Sequence, residues 1–110
     1  IVGSGRGNST YAASKGLIIG YSKELAIEWA SSGVRVNIIA PCQFMGPNLE
    51  RMAREEFNYN ELMKVWTSNI PLGKVGSPEE MAGPVIFLAS DAACMITGIV
   101  VPVDGGYLAR

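Results

Sequence analysis

Apolar residues at three- and four-residue spacings, Ile18, Leu25, Ala26 and Trp29, predict a helix from Tyr11 to about Ser31. Ser9 or Thr10 is available as its amino-terminal cap, and Gly33 supplies its stop. The pattern then changes. Residues 34–40 are β-branched and apolar and predict a strand, which Pro41 ends because proline donates no ladder hydrogen bond. Residues 48–69 turn amphipathic again and read as two short helices broken near Asn58-Tyr59-Asn60. Leu49, Met52 and Phe57 lie on the first, and Leu62, Val65 and Trp66 on the second. After a turn-rich stretch, Ser77-Pro78-Glu79-Glu80 starts another helix, with a serine cap, proline in the first helical position and acids in the first turn. That helix should run to about Ser90, with Pro84 either kinking it or tolerated near its first turn. Thr97-Gly98 leads into a last strand, residues 99–103, closed by Asp104-Gly105-Gly106.

Both strands are continuous apolar runs of the kind buried on two faces of a parallel sheet. Two such strands do not make that sheet alone, so the sequence reads as a piece of a larger domain. Ile1-Val2-Gly3 resembles a strand end, and the Gly-, Ser- and Asn-rich run that follows reads as a loop. Helix, strand, helices, strand is the alternation of a doubly wound α/β sheet. An apolar last strand at a sheet edge needs cover, which predicts a subunit contact near Gly105-Gly106-Tyr107-Leu108.

Composition narrows the partners. With 110 residues, 48% hydrophobic and 17% charged, the chain holds one globular domain at most. A formal charge of −1, with both signs interspersed, leaves no basic stripe for a phosphate backbone, so no nucleic-acid partner is expected. No apolar run approaches the ~20 residues of a membrane-spanning helix, so no membrane partner is expected. Two cysteines, Cys42 and Cys94, and no histidine give neither a disulfide framework nor a metal cluster. A reducing, cytoplasmic setting is the expectation.

The candidate chemistry lies in Tyr11 and Lys15. Four residues apart at a helix start, they share one face one turn apart, close enough for a phenol and an ammonium to act on one hydroxyl. Reducing a carbonyl needs a proton delivered to the developing alkoxide. A free phenol, with a pKa of roughly 10, is a sluggish base for the reverse reaction at neutral pH, and a nearby ammonium favours the phenolate. The plain alternative is a surface pair of the sort found on any helix. Gly3-Ser4-Gly5-Arg6-Gly7 has the composition of a phosphate cradle but lacks the strand, turn and helix context of one.

Tyr11-Ala12-Ala13-Ser14-Lys15-Gly16 resembles the Tyr-x-x-Ser-Lys motif of the short-chain dehydrogenase/reductase family. The likeness continues, in the family's order, through Gly33-Val34-Arg35-Val36-Asn37-Ile38-Ile39-Ala40-Pro41, Pro71-Leu72-Gly73-Lys74-Val75-Gly76-Ser77-Pro78-Glu79-Glu80, Phe87-Leu88-Ala89-Ser90-Asp91, Ile96-Thr97-Gly98 and Val103-Asp104-Gly105-Gly106. The resemblance implies an α/β fold, the carboxy-terminal half of a doubly wound Rossmann-type parallel sheet, three-layer α/β/α in the intact protein. It divides the chain into an active-site helix at 11–32, a cofactor loop at 41–47, a substrate lid at 48–70, and a last helix and strand at 78–104.

The same resemblance implies an NAD(P)-dependent oxidoreductase that interconverts an alcohol and a carbonyl on a small-molecule substrate. Tyr11 would be its acid/base, and Lys15 would tune it and bond the nicotinamide ribose. Pro41, Cys42, Phe44 and Gly46 would lie at the nicotinamide carboxamide; Ser14 receives no catalytic role. The loop departs from the family twice, with Cys42 in place of a usual glycine and Gly46 in place of a frequent threonine. Cys42 is read either as a small packing residue or as a reactive thiol near the site. Met45, Met52, Phe57, Tyr59, Met63 and Trp66 would line a substrate pocket or pack the helices. Cys94, Trp29 and Asn37 read as structural. The cofactor is NAD or NADP, and the assembly a homodimer or homotetramer. The family's substrate-orienting serine and its phosphate loop belong further upstream, Ser4 and Ser9 being poor candidates, so this segment alone is expected to be inactive. The rival reading is a truncated or degenerate, non-catalytic module retained for binding or assembly.

Overall fold

The computed structural model describes residues 7–55 and 58–110. The strand end expected at Ile1-Val2-Gly3, the loop residue Ser4 and the lid residue Phe57 lie outside the described residues. The chain divides into two compact units, one running to Ile38 with Ala93–Val101, the other Ile39–Ala92 with Pro102–Arg110.

In the first unit, helix α1 spans Ser9–Glu28. Its cap is Asn8, whose side chain makes no capping bond and whose carbonyl accepts from the Ala12 N–H at 2.9 Å. Ser9 and Thr10, expected as caps, therefore sit inside the first turn. The helix tightens after Trp29 into a 3₁₀ turn, Ala30–Ser32, and stops at Gly33, whose φ of 72° lies in the left-handed region that glycine enters without cost. Ala26 is buried, and a Cβ added to Gly98 would stand 3.5 Å from its methyl, so two small residues let backbone approach backbone here.

The strand expected over residues 34–40 is shorter, β1 being Ile38–Pro41. Side chains occupy the preceding stretch. Val36 N–H donates to Thr97 Oγ1 at 3.1 Å, Arg35 and Asn37 both donate to the Ile96 carbonyl, and Asn37 Oδ1 accepts from Ile99 N–H at 3.3 Å. Those bonds satisfy the backbone without a ladder. Asn37 is thus structural, as expected. Strand β2 is Val100–Val103, and the two strands form one two-stranded sheet. Partners rise together along both strands, which makes the pair parallel: Ile38 N–H bonds the Ile99 carbonyl at 2.9 Å in the first unit, and Cys42 N–H the Val103 carbonyl at 3.3 Å in the second. Neither strand holds a buried residue, contrary to the burial on both faces that their apolar runs suggest. Two strands expose most of what a wider sheet would cover.

In the second unit, helices α2, Pro47–Glu55, and α3, Tyr59–Ser68, fall where the amphipathic pattern places them. Asn58 caps α3 by accepting from Glu61 N–H, and Arg54 lies over the Tyr59 ring at 4.4 Å. A 3₁₀ turn, Pro78–Met81, precedes α4, Ala82–Ala89. Because the α-helical part begins only at Ala82, Pro84 falls in its first turn, where a missing N–H breaks no bond and no kink is needed. Ala53, Ile70 and Leu88 are buried in this unit.

Candidate active site

Tyr11 and Lys15 occupy the first two turns of α1, as their spacing predicts, and the Lys15 Nζ stands 5.3 Å from the centroid of the Tyr11 ring. Tyr11 is 64% exposed. Ser14 Oγ donates to the Tyr11 carbonyl at 2.7 Å, which makes it part of the helix's internal bonding. The first unit therefore presents a phenol and an ammonium side by side on an exposed helical turn.

The second unit carries the loop after β1. Pro41 is the last residue of that strand, and Cys42, Phe44 and Gly46 are each half-buried. A parallel bridge joins Phe44 to Gly76. Its bonds run from Gly76 N–H to the Gln43 carbonyl at 2.9 Å and from Met45 N–H to the Gly76 carbonyl at 2.8 Å. Such a bridge uses the groups flanking Phe44 and turns the residue's own N–H and carbonyl to the opposite side. There the carbonyl accepts from Gly46 N–H at 3.1 Å, while the Phe44 N–H has no partner among the described residues. Gly46 in turn accepts from Glu50 N–H at 2.9 Å, so the loop runs directly into α2. A free backbone donor beside a carbonyl is a fit for a planar amide, and it asks nothing of the side chains at 42 or 46.

Burial pushes the Cys42 thiol above its ordinary range and Asp104 pushes it the same way, against lowering by the Gln43 backbone and by Arg110. A shift in that direction is the one a half-buried, small packing residue shows. It lines a cleft of about 120 Å³ with Phe44, Ile70, Leu72, Val103 and Gly105, and the Lys74–Glu80 ion pair forms part of the same wall. Cys94, by contrast, is exposed.

Gly76 stands in the family-like run 71–80, but its contact with the loop at Phe44 is what sequence reasoning missed, since nothing in that run points to a partner at residue 44. Of the expected lid residues, Tyr59, Met63 and Trp66 are half-buried on α3 and Met52 is exposed on α2. No helix among the described residues is long and apolar enough to cross a membrane.

A family model described as enoyl-(acyl carrier protein) reductase matches residues 2–108. Galactitol 2-dehydrogenase (L-tagatose-forming) of Cereibacter sphaeroides is 42% identical over 99 residues, 90% of this chain and 37% of that protein. Among solved structures, a short chain dehydrogenase family protein from Francisella tularensis superposes with a TM-score of 0.81 at 34% identity, covering 93% of this chain and 44% of that one. An Agrobacterium tumefaciens protein solved with bound NADP gives 0.80 at 39% identity, covering 91% and 39%. The chain thus spans well under half the length of these relatives, and the parallel pair with its flanking helices corresponds to part of their Rossmann fold.

Proposed function

The chain belongs to the short-chain dehydrogenase/reductase family, and from that premise we propose that it is the carboxy-terminal part of an NAD(P)-dependent oxidoreductase interconverting an alcohol and a carbonyl. One observation carries the reading: the ammonium of Lys15 beside the exposed ring of Tyr11 on the opening turns of α1. In this reading α1 with its 3₁₀ extension is the active-site helix, 41–47 the cofactor loop, 48–70 the substrate lid, and 78–104 the last helix and strand.

The nicotinamide cofactor, NAD or NADP, supplies or accepts the hydride. Tyr11 then hands its phenolic proton to the alkoxide oxygen as a carbonyl is reduced, and takes it back when an alcohol is oxidised. Lys15, beside the Tyr11 ring, would hold a ribose hydroxyl of the nucleotide. The Phe44 N–H would donate to the carboxamide, with Pro41, Cys42 and Gly46 shaping the loop around it. The group fits because the donor it requires is a backbone N–H, which the changes at Cys42 and Gly46 leave in place. The substrate is a small molecule, and the lid's Met52, Tyr59, Met63 and Trp66 suit a moderately apolar carbonyl or a sugar ring. The intact protein is proposed to be a cytoplasmic homodimer or homotetramer with the turn at 105–108 near a subunit contact; a monomeric mass by light scattering would remove that part. The segment alone is proposed to be inactive.

Tyr11→Phe in the whole protein tests the assignment. It should lower kcat by roughly 10²- to 10⁴-fold, the usual worth of a general acid, and leave nucleotide affinity nearly unchanged. A near wild-type rate would end the reading. A non-catalytic module is the second reading, supported by Cys42 and Gly46 in the loop; it predicts no turnover from the whole protein with any alcohol or carbonyl.

A further inference from the structure

The loop that follows β1 is tied to Gly76 by more than its two backbone bonds. A Cβ built on Gly76 would lie 2.6 to 2.8 Å from Cε1, Cδ1 and Cζ of Phe44, so one edge of the ring rests directly on the glycine's Cα. Gly76 is not among the glycines of positive φ, so an alanine there would meet no backbone strain. The obstacle to a side chain at 76 is the Phe44 ring. Gly105 is a different case, since its φ of 61° and an added Cβ 2.5 Å from Ile70 make any substitution both strained and crowded.

The bridge and the ring contact act on the same residue from the same side. Gly76 holds the carbonyl of Gln43 and the N–H of Met45, and its bare Cα seats the ring between them. Phe44 is therefore fixed at both its flanking peptides and its side chain, which leaves its own N–H facing away from Gly76. We infer that Gly76 is a positioning residue for the cofactor loop: by seating the Phe44 ring it fixes the direction in which the Phe44 N–H is presented to the nicotinamide carboxamide. The inference rests on the proposed nucleotide-binding role of the loop and adds a residue to it that touches no cofactor. Close packing makes the seat unforgiving, since a methyl group placed within 3 Å of a ring edge must displace either the ring or the loop that carries it.

The test is Gly76→Ala in the whole protein, with NADH and NADPH affinities read by the fluorescence of the reduced nicotinamide. Affinity should fall by about tenfold, the scale of a modest overpacking displacement, appearing as a raised KM for nucleotide with kcat much less changed. In a Phe44→Leu background, where the ring is gone, the same Gly76→Ala change should cost no more than about twofold, because the two side chains act through one contact. Equal affinity in wild type and Gly76→Ala overturns the inference, and so does an undiminished loss in the Phe44→Leu background. Should Gly76→Ala fail to fold, Phe44→Leu alone carries the test: weakened nucleotide binding supports the inference and unchanged binding overturns it. Wild-type protein that binds neither nucleotide would overturn the proposed function and this inference together, whereas binding that ignores both residues overturns only the latter.

Discussion

Along the twenty residues of α1, Leu17, Ile18, Tyr21 and Ile27 stand exposed and Ala26 is the one buried side chain. The helix has no side-chain cap, no acid in its first turn and no base in its last. The pair α2 and α3 is built differently. Glu50 pairs with Arg54, Arg51 with Glu55 and Glu61 with Lys64, all at helical spacing, and Asn58 caps the second helix. Arg54 over Tyr59 links the two helices across their junction. The catalytic candidates therefore ride on a helix that leaves most of its apolar side chains uncovered and has no side-chain cap, while α2 and α3 are specified by short-range polar contacts.

The largest effect that would sharpen this contrast is expected at Ala26. Replacing it with leucine forces three more carbons into a site that is 3% exposed and faces Gly98, and should cost about 1–3 kcal/mol in urea denaturation of the whole protein. An unchanged midpoint would mean that α1 does not depend on that contact. Next comes Asn58→Ala, which removes the cap of α3. The bond is long at 3.4 Å, so a loss of about 0.5–1 kcal/mol is expected, concentrated in faster amide exchange over the first turn of α3. Exchange that rises equally in α1 would break the distinction between local and tertiary support.

Smaller again is Arg54→Ala. Its exposed pair with Glu50 contributes little even at low salt, and the difference from wild type should shrink in 1 M salt, where charges are screened beyond about 3 Å. Any cation–π share with Tyr59 is what persists at high salt.

The least of these shifts is one of pH. The Lys74 ammonium first, and then the Ser77 backbone N–H at 3.0 Å, hold the Glu80 carboxyl below the usual carboxylate range. A carboxyl so depressed stabilises the fold above its unfolded pKa, about 4.3, and that contribution disappears as pH falls through the lower folded value. Glu80→Gln should therefore lower stability slightly at neutral pH and flatten the acid limb of the profile, mutant and wild type converging as pH falls through the folded value. A mutant with an unchanged acid limb would remove Glu80 from the account of how α4 starts.

Much of this arrangement is legible in the residues. Gly33, Pro41, Asn58 and Ser77-Pro78 mark boundaries because each acts through its own backbone or its nearest neighbours, and the elements end or begin within a few residues of them. The Tyr11–Lys15 proximity is of the same kind, since four residues of helix bring the two side chains together whatever surrounds them. Where the strand reading fell short, a partner distant in sequence had intervened: residues 34–37 carry every mark of a strand, yet Thr97 and Ile96 take their hydrogen bonds. At Ser9 the miss is local, the helix starting one residue earlier than a serine cap requires, with Asn8 before it.

The sequence by itself determined where helices and strands lie, which residues pair one turn apart, and through its motifs the family, because those properties are carried by neighbours along the chain. Tertiary structure alone decided that Phe44 rests on Gly76 and that burial pushes the Cys42 thiol up. Both depend on segments some thirty or more residues apart arriving at the same place, and no periodicity or spacing encodes that meeting.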